Sequence, residues 1–241
     1  WAKDAFGTPF LGSFLVLAAI ALVAIAVQSR LHVPPPSAAE RAGGGRPLSR
    51  IVRQPVFVVS VLAAALGYGL MNLLMTATPL AMSFCAYPYS DAAFVIEWHV
   101  VGMYAPGLVT GRLIRRYGVL SVILAGTALV AGCAAVALNG NTVAHFWAAL
   151  VLLGVGWNFM YTGGTTLLTE SYEPAEKAKT QGANDFIVFA TMGVSSLASG
   201  ALVSTAGWER MNAAALPVLV VVVAAVAWLA WLRRGITAPR S

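Results

Sequence analysis

Charge is what this sequence has least of. Only 10% of its 241 residues are Asp, Glu, Lys or Arg, while 59% are apolar. A soluble chain carries about 25% charged residues, which it needs to cover its surface. The shortage excludes a water-soluble domain and indicates an integral membrane protein. Cysteine is also scarce: Cys85 and Cys133 lie in apolar surroundings, form no CxxC pair and cannot build a disulfide framework. Both read as small packing residues. The histidines, His32, His99 and His145, are scattered without HExxH spacing, so no metal site is expected. No ATP motif is present, and no cofactor is expected.

Long apolar runs take the place of charge. A helix needs about 20 apolar residues to cross the hydrocarbon core, and seven runs qualify, near 9–29, 55–83, 92–114, 118–138, 144–169, 183–206 and 211–232. The stretch 30–54, rich in Pro, Gly, Ser and Arg, reads as a polar, poorly ordered linker. RRYG (115–118) and NGN (139–141) read as turns, SYEPAEKAKTQ (171–181) as a charged loop and GWERMN (207–212) as a short hairpin. Runs of this length exclude strands, so the expected fold is an all-α polytopic membrane protein with seven transmembrane helices. The first run lacks a basic leader and follows Trp1. It reads as the continuation of a longer chain, not as a signal peptide.

Basic residues give the orientation. If the first span runs outside to inside, thirteen of the fifteen Lys and Arg fall in 30–54, 112–117, 170–182 and the tail after 232. Only Lys3 and Arg210 fall outside. This places the linker and the C-terminus in the cytoplasm. The same distribution accounts for the net charge of +6 through topology and anionic lipid. It forms no basic face of the kind nucleic acid requires, so nucleic acid is not an expected partner.

An internal echo links the second and fifth spans. Residues 66–79, LGYGLMNLLMTATP, and 153–166, LGVGWNFMYTGGTT, share L-G-x-G followed by Asn72 or Asn158 and small hydroxyl residues. The offset of about three spans is an odd number of crossings, which inverts the repeated unit, as in inverted-topology transporter repeats.

GRLIRRYGVLSVI (111–123) resembles the G-x-L-x-D-R-x-G-R-R loop of the major facilitator superfamily, in the weaker copy found in the second half of such transporters. Gly111, Leu113, Arg116 and Gly118 match, with Arg112 inside the motif. Arg115 replaces the family's Asp, so that residue's role as a charge partner in gating does not carry over. MTATPLAM, WHVVGMYAPGLVTGRLI, LLGVGWNFMYTGGTTLLTE and EKAKTQGANDF together resemble a bacterial branch that includes riboflavin-type importers. The resemblance implies that the seven spans are helices six to twelve of a twelve-helix permease of the inner membrane. Residues 1–29 would end the N-terminal half, 30–54 would be the central cytoplasmic linker, and 55–241 would form the C-terminal six-helix domain. The missing N-terminal half would then be a partner, because the substrate cavity lies between the two halves.

The family expectation makes spans two, three, five and six line the cavity. Tyr68, Asn72 and Thr76 form one stripe on span two, and Asn158, Tyr161 and Thr165 another on span five beside Trp157. Span three carries VIEWHVVGMYAPG (95–107). Its Glu97 and His99 are two residues apart and point about 200° from each other, so they cannot form one acid–base pair. Glu97 shares a face with Val101, Tyr104 and Leu108, and His99 shares one with Met103, Pro106 and Thr110. Glu97 over Tyr104 is the expected proton or solute contact, with His99 hydrogen-bonded to a neighbouring helix. Asp185 is the second candidate, set against a capping role at the start of span six. Glu170, Glu173 and Glu176 read as solvated loop charges.

The function expected is secondary transport of a small organic solute by alternating access, proton-coupled. The rings of Trp157, Tyr161, Tyr104 and Tyr68 suit a flavin, an amphipathic drug or a small organic acid. Two alternatives stay open: a membrane-embedded enzyme using Glu97 and His99, and a non-transport membrane subunit.

Overall fold

The computed structural model describes residues 6–8, 10–32, 34–35, 37–38 and 44–237; Lys3, Arg41, Arg240 and parts of the expected linker lie outside the described residues. The chain forms two compact units, Trp1–Arg41 and Ala42–Ser241. The first includes the helix Leu11–Gln28, an aliphatic run in which only Gly12 is buried. It is the first span.

The second unit contains the other crossings. Pro55–Phe84 is the second span, started by a proline whose missing N–H costs nothing in a first turn. The third is broken: Tyr89–Tyr104 and Gly107–Tyr117 meet at 42° across Ala105 and Pro106. Val119–Leu138 and Val143–Leu168 are the fourth and fifth. Lys177–Thr237 is helical on both sides of Gly207, which departs from helical geometry (φ 82, ψ 166). A straight helix of that length would run about 90 Å, three times the hydrocarbon core. The packing shows a reversal instead. Trp208 packs at a tilt against Phe146 at the start of span five, Val218 lines the same groove as Leu202, and Arg233 pairs with Glu170 beyond the end of span five. Residues 177–206 and 208–237 are therefore spans six and seven.

Two boundaries differ from the sequence reading. The turn expected over 207–212 is made by Gly207 alone, and its positive φ suits glycine. Span six begins at Lys177, inside the expected charged loop, because Glu173 and Glu176 form a capping box immediately before it.

Span five is the hub, and four of its glycines allow its neighbours to approach. A Cβ on Gly154 would lie 2.6 Å from the His99 carbonyl of span three, and one on Gly156 2.9 Å from the Gly126 carbonyl of span four. A Cβ on Gly163 would meet Ile123 of span four at 2.6 Å, and one on Gly164 the Ser60 carbonyl of span two at 2.9 Å. Lipid tails give helices no hydrophobic reason to associate, so such close backbone packing supplies the attraction.

Gly154→Ala should destabilise the protein by about 1–3 kcal/mol, because the obstacles are backbone atoms that cannot swing aside. Gly193→Ala, with open space around it, should be near neutral. Thermal unfolding in detergent checks both.

Candidate functional site

Four rings from three helices meet in the second unit. Trp157 and Tyr161 lie one helical turn apart on span five and stack with centroids 5.3 Å apart and planes 7° from parallel. Tyr68 of span two packs edge-on to both, at 5.3 Å from each. Tyr104 of span three approaches Trp157 edge-on at 6.2 Å. Trp157 is buried, Tyr68 and Tyr161 are half-buried, and Tyr104 is 65% exposed. The cluster is therefore a wall with an open rim at Tyr104. Its buried Trp157 Nε1 has no hydrogen-bond acceptor. Offset and edge-to-face ring pairs each add about 0.5–1.5 kcal/mol beyond burial, and a planar solute can join the same geometry.

The two faces of span three separate as helical spacing requires. Glu97, Val101, Tyr104 and Leu108 are exposed, while His99, Met103 and Thr110 are buried. His99 Nδ1 lies 2.7 Å from the Leu150 carbonyl of span five. A carbonyl oxygen only accepts, so Nδ1 is the donor in this bond. Glu97 borders a recess with Pro79, Tyr89 and Ile96. It stands seven residues from Tyr104, about 10 Å along the helix axis, and so outside the ring cluster.

The two matched asparagines hold helices together. Asn158 is buried, donates to the Met103 carbonyl at 2.7 Å, and accepts from the Thr110 hydroxyl at 2.6 Å. Asn72 donates to the Met192 carbonyl at 3.1 Å and to Ser195 Oγ at 3.0 Å. Each amide thus ties its own span to a methionine carbonyl of another, span two to span six and span five to span three. Interhelical hydrogen bonds of this kind are worth about 0.6 kcal/mol on average and up to about 1.7. Sequence alone gave no sign of the partners Thr110, Met192 and Ser195.

Thr76 is exposed. Asp185 is also exposed, accepts from the Asn184 amide at 3.1 Å and lies within electrostatic range of Tyr161. Since span six starts at Lys177, Asp185 falls in its third turn, too deep to cap the helix. Arg112, Arg115 and Arg116 are exposed, with Arg116 over the Tyr117 ring at 5.2 Å. Gly118 turns the chain into span four at φ 84, and Gly111 lies one turn before Arg115. Among the described residues no three His, Cys, Asp or Glu gather as metal ligands.

One ionic site escaped the sequence reading. Glu176 is 1% exposed and receives Arg46 in two parallel hydrogen bonds of 2.9 and 2.6 Å, with the Arg46 backbone N–H at 2.6 Å. Arg46 and Gln54 also reach the Ser171 carbonyl, and Lys179 donates to the carbonyls of Gly44 and Arg46. Glu176 is therefore not a solvated charge, and 44–54 is an anchored strap, not a loose linker end. The Arg46 hydrogen bond, helped by the N–H groups of Glu173 and Arg46, holds the Glu176 carboxyl at about 2 against the opposing effect of burial. The E-P-A-E capping pattern was the available signal.

The sequence profile of the Major Facilitator Superfamily matches residues 4–185 and again 92–240. A riboflavin transporter of Brucella anthropi, RfnT, is 41% identical over 227 residues, covering 92% of this chain and 56% of its own length. Two uncharacterised transporters of the same superfamily type from Bacillus subtilis are also similar. YddS is 30% identical over 74% of this chain and 42% of its own length, and YdeG 33% over 59% and 34%. The chain thus spans about half the length, or less, of these relatives.

The strap gives a pH prediction. A carboxyl whose folded value lies below its unfolded one stabilises the fold above the unfolded value and loses that contribution as pH falls through the folded one. A spin label at Ser49 should therefore stay immobilised from pH 7 to pH 4 and be released only near pH 2. Glu176→Gln should release it at neutral pH.

Proposed function

The chain belongs to the Major Facilitator Superfamily, and from that premise we propose that it forms one wall of a permease that moves a planar organic solute by alternating access. The ring cluster of Tyr68, Tyr104, Trp157 and Tyr161 carries this reading. Stacked and edge-on rings recognise a flat conjugated surface, and the similar Brucella anthropi protein is a riboflavin transporter. The solute proposed is a flavin. It enters past the exposed Tyr104 rim and lies against Trp157 and Tyr161.

In this reading residues 1–29 are helix six of the permease, 30–54 its central linker and 55–241 its C-terminal domain. The other half supplies the facing wall. The basic end of the bundle, with the linker and the C-terminus, faces the cytoplasm of a bacterial inner membrane, following the bias of Lys and Arg. The protein is a carrier and not an enzyme. Two exposed carboxylates stand on either side of the rings. Asp185 lies near the Tyr161 hydroxyl, and Glu97 toward the opposite end. Glu97 takes the coupling proton, and Asp185 orients a polar edge of the solute. Asn72, Asn158 and Thr76 border the path, the two amides through the helix positions they fix. Arg112, Arg115 and Arg116, with Gly111 and Gly118, form the cytoplasmic gate loop.

Riboflavin uptake by the full-length protein in proteoliposomes tests the reading. Trp157→Ala should raise the KM about tenfold, and Glu97→Gln should abolish dependence on a proton gradient. No uptake of riboflavin and no competition by it would sink the flavin assignment, and unchanged proton-driven uptake in Glu97→Gln would remove that residue's role.

A further inference from the structure

The break in span three lies beside the ring wall, and consecutive residues of span five touch both. Trp157 meets Tyr104, the last residue before the break. Its neighbour Asn158 reaches across the break: it donates to the Met103 carbonyl before it, lies 3.5 Å from a Cβ position on Gly107 within it, and accepts from Thr110 after it. Pro106 brings no N–H to the helical ladder, and Leu108 N–H turns back to the Ala105 carbonyl at 3.3 Å. The ladder is interrupted there, and a side chain of span five takes over.

The two sides of the break are held differently. Above it, span three is fixed to span five by backbone contact at Gly102 and Gly154 and by the His99–Leu150 bond. Below it, residues 107–109, 111, 112 and 115–117 are exposed, with Leu108 at 85%, and Thr110 is buried against Asn158. The Thr110 hydroxyl has one proton to divide between Asn158 Oδ1 at 2.6 Å and its own helical acceptor, the Pro106 carbonyl, at 2.8 Å. It can therefore leave Asn158 without being left unpaired. The matched amide Asn72 makes a similar bond to Met192, but span six is helical from 177 to 206 and offers no break there.

We infer that Asn158 and Thr110 form a latch that positions the 107–117 segment, so that solute contact at Trp157 and Tyr104 and the bend of span three change together. Asn158 is a positioning residue in this scheme. Closed, the latch holds the lower segment against span five beneath the rings. Open, the segment swings about Ala105–Gly107 while the upper segment stays fixed. Asn72 is its static counterpart. The inference rests on the reading of the ring wall as the solute site.

Hydrogen exchange of the full-length protein in nanodiscs, resolved by segment, tests it. Thr110→Val keeps the shape and removes the hydroxyl; residues 107–117 should then exchange roughly 3- to 20-fold faster, the span set by one interhelical bond. Residues 89–103 should not change, and Thr110→Ser should restore the wild-type rate. Riboflavin should slow exchange of 107–117 in the wild type. In Thr110→Val, riboflavin fluorescence quenching should still report binding while that slowing disappears, which a merely structural bond would not produce. Wild-type exchange in Thr110→Val, acceleration spread over both segments, or retention of the riboflavin effect would each overturn the latch. If riboflavin fails to bind the wild type, the solute reading falls, and the ligand-free comparison of Val with Ser decides the latch.

Discussion

A carbonyl in hydrocarbon that loses its helical partner must find another donor, because no water stands ready to replace it. The second unit is organised around that constraint. Pro106 interrupts span three, and the amide of Asn158 covers the Met103 carbonyl beside the interruption. That bond fixes the rotation of span five, which brings Trp157 and Tyr161 against Tyr68 and Tyr104. The glycines of span five permit the approach, and the polar bond sets its register. Packing alone would allow these helices to slide or rotate; a directed bond between two particular atoms does not.

Polar groups within the bundle consequently divide into two kinds. Asn72, Asn158, His99 and Thr110 each form a hydrogen bond to a neighbouring helix. Tyr104, Glu97 and Asp185 remain exposed. The first kind holds the helices together, and the second presents its polar groups outside those contacts. A bond of about 0.6–1.7 kcal/mol is weak enough for thermal motion to open it readily. The Arg46–Glu176 pair is of another character. It is bidentate, backed by backbone donors and set at the basic end, where it fastens the strap before span two to the loop before span six.

Much of this was legible in the sequence. Apolar runs marked all seven crossings, and the 100° helical step separated Glu97 from His99 correctly as exposed and buried. The clustering of Tyr68, Tyr104, Trp157 and Tyr161 also agrees with their expected placement on spans two, three and five. Partners were not legible, because a hydrogen bond between distant segments leaves no periodic trace. The echo at Asn72 and Asn158 flagged two amides at depth, yet nothing in it showed that methionine carbonyls receive them. Glu176 looked like one charge among several in a loop; its burial depends on Arg46, 130 residues away. Asp185 seemed close to a helix start only because the charged letters before it hid a capping box.

The central claim is that the ring wall faces a water-filled, solute-accessible path and not lipid. Tyr104 on its open rim is the position that decides it. In a full-length protein with Cys85 and Cys133 replaced, Tyr104→Cys should react with a membrane-impermeant thiol reagent, and riboflavin should slow that reaction. Absence of reaction, or a rate that riboflavin leaves unchanged, would contradict the account.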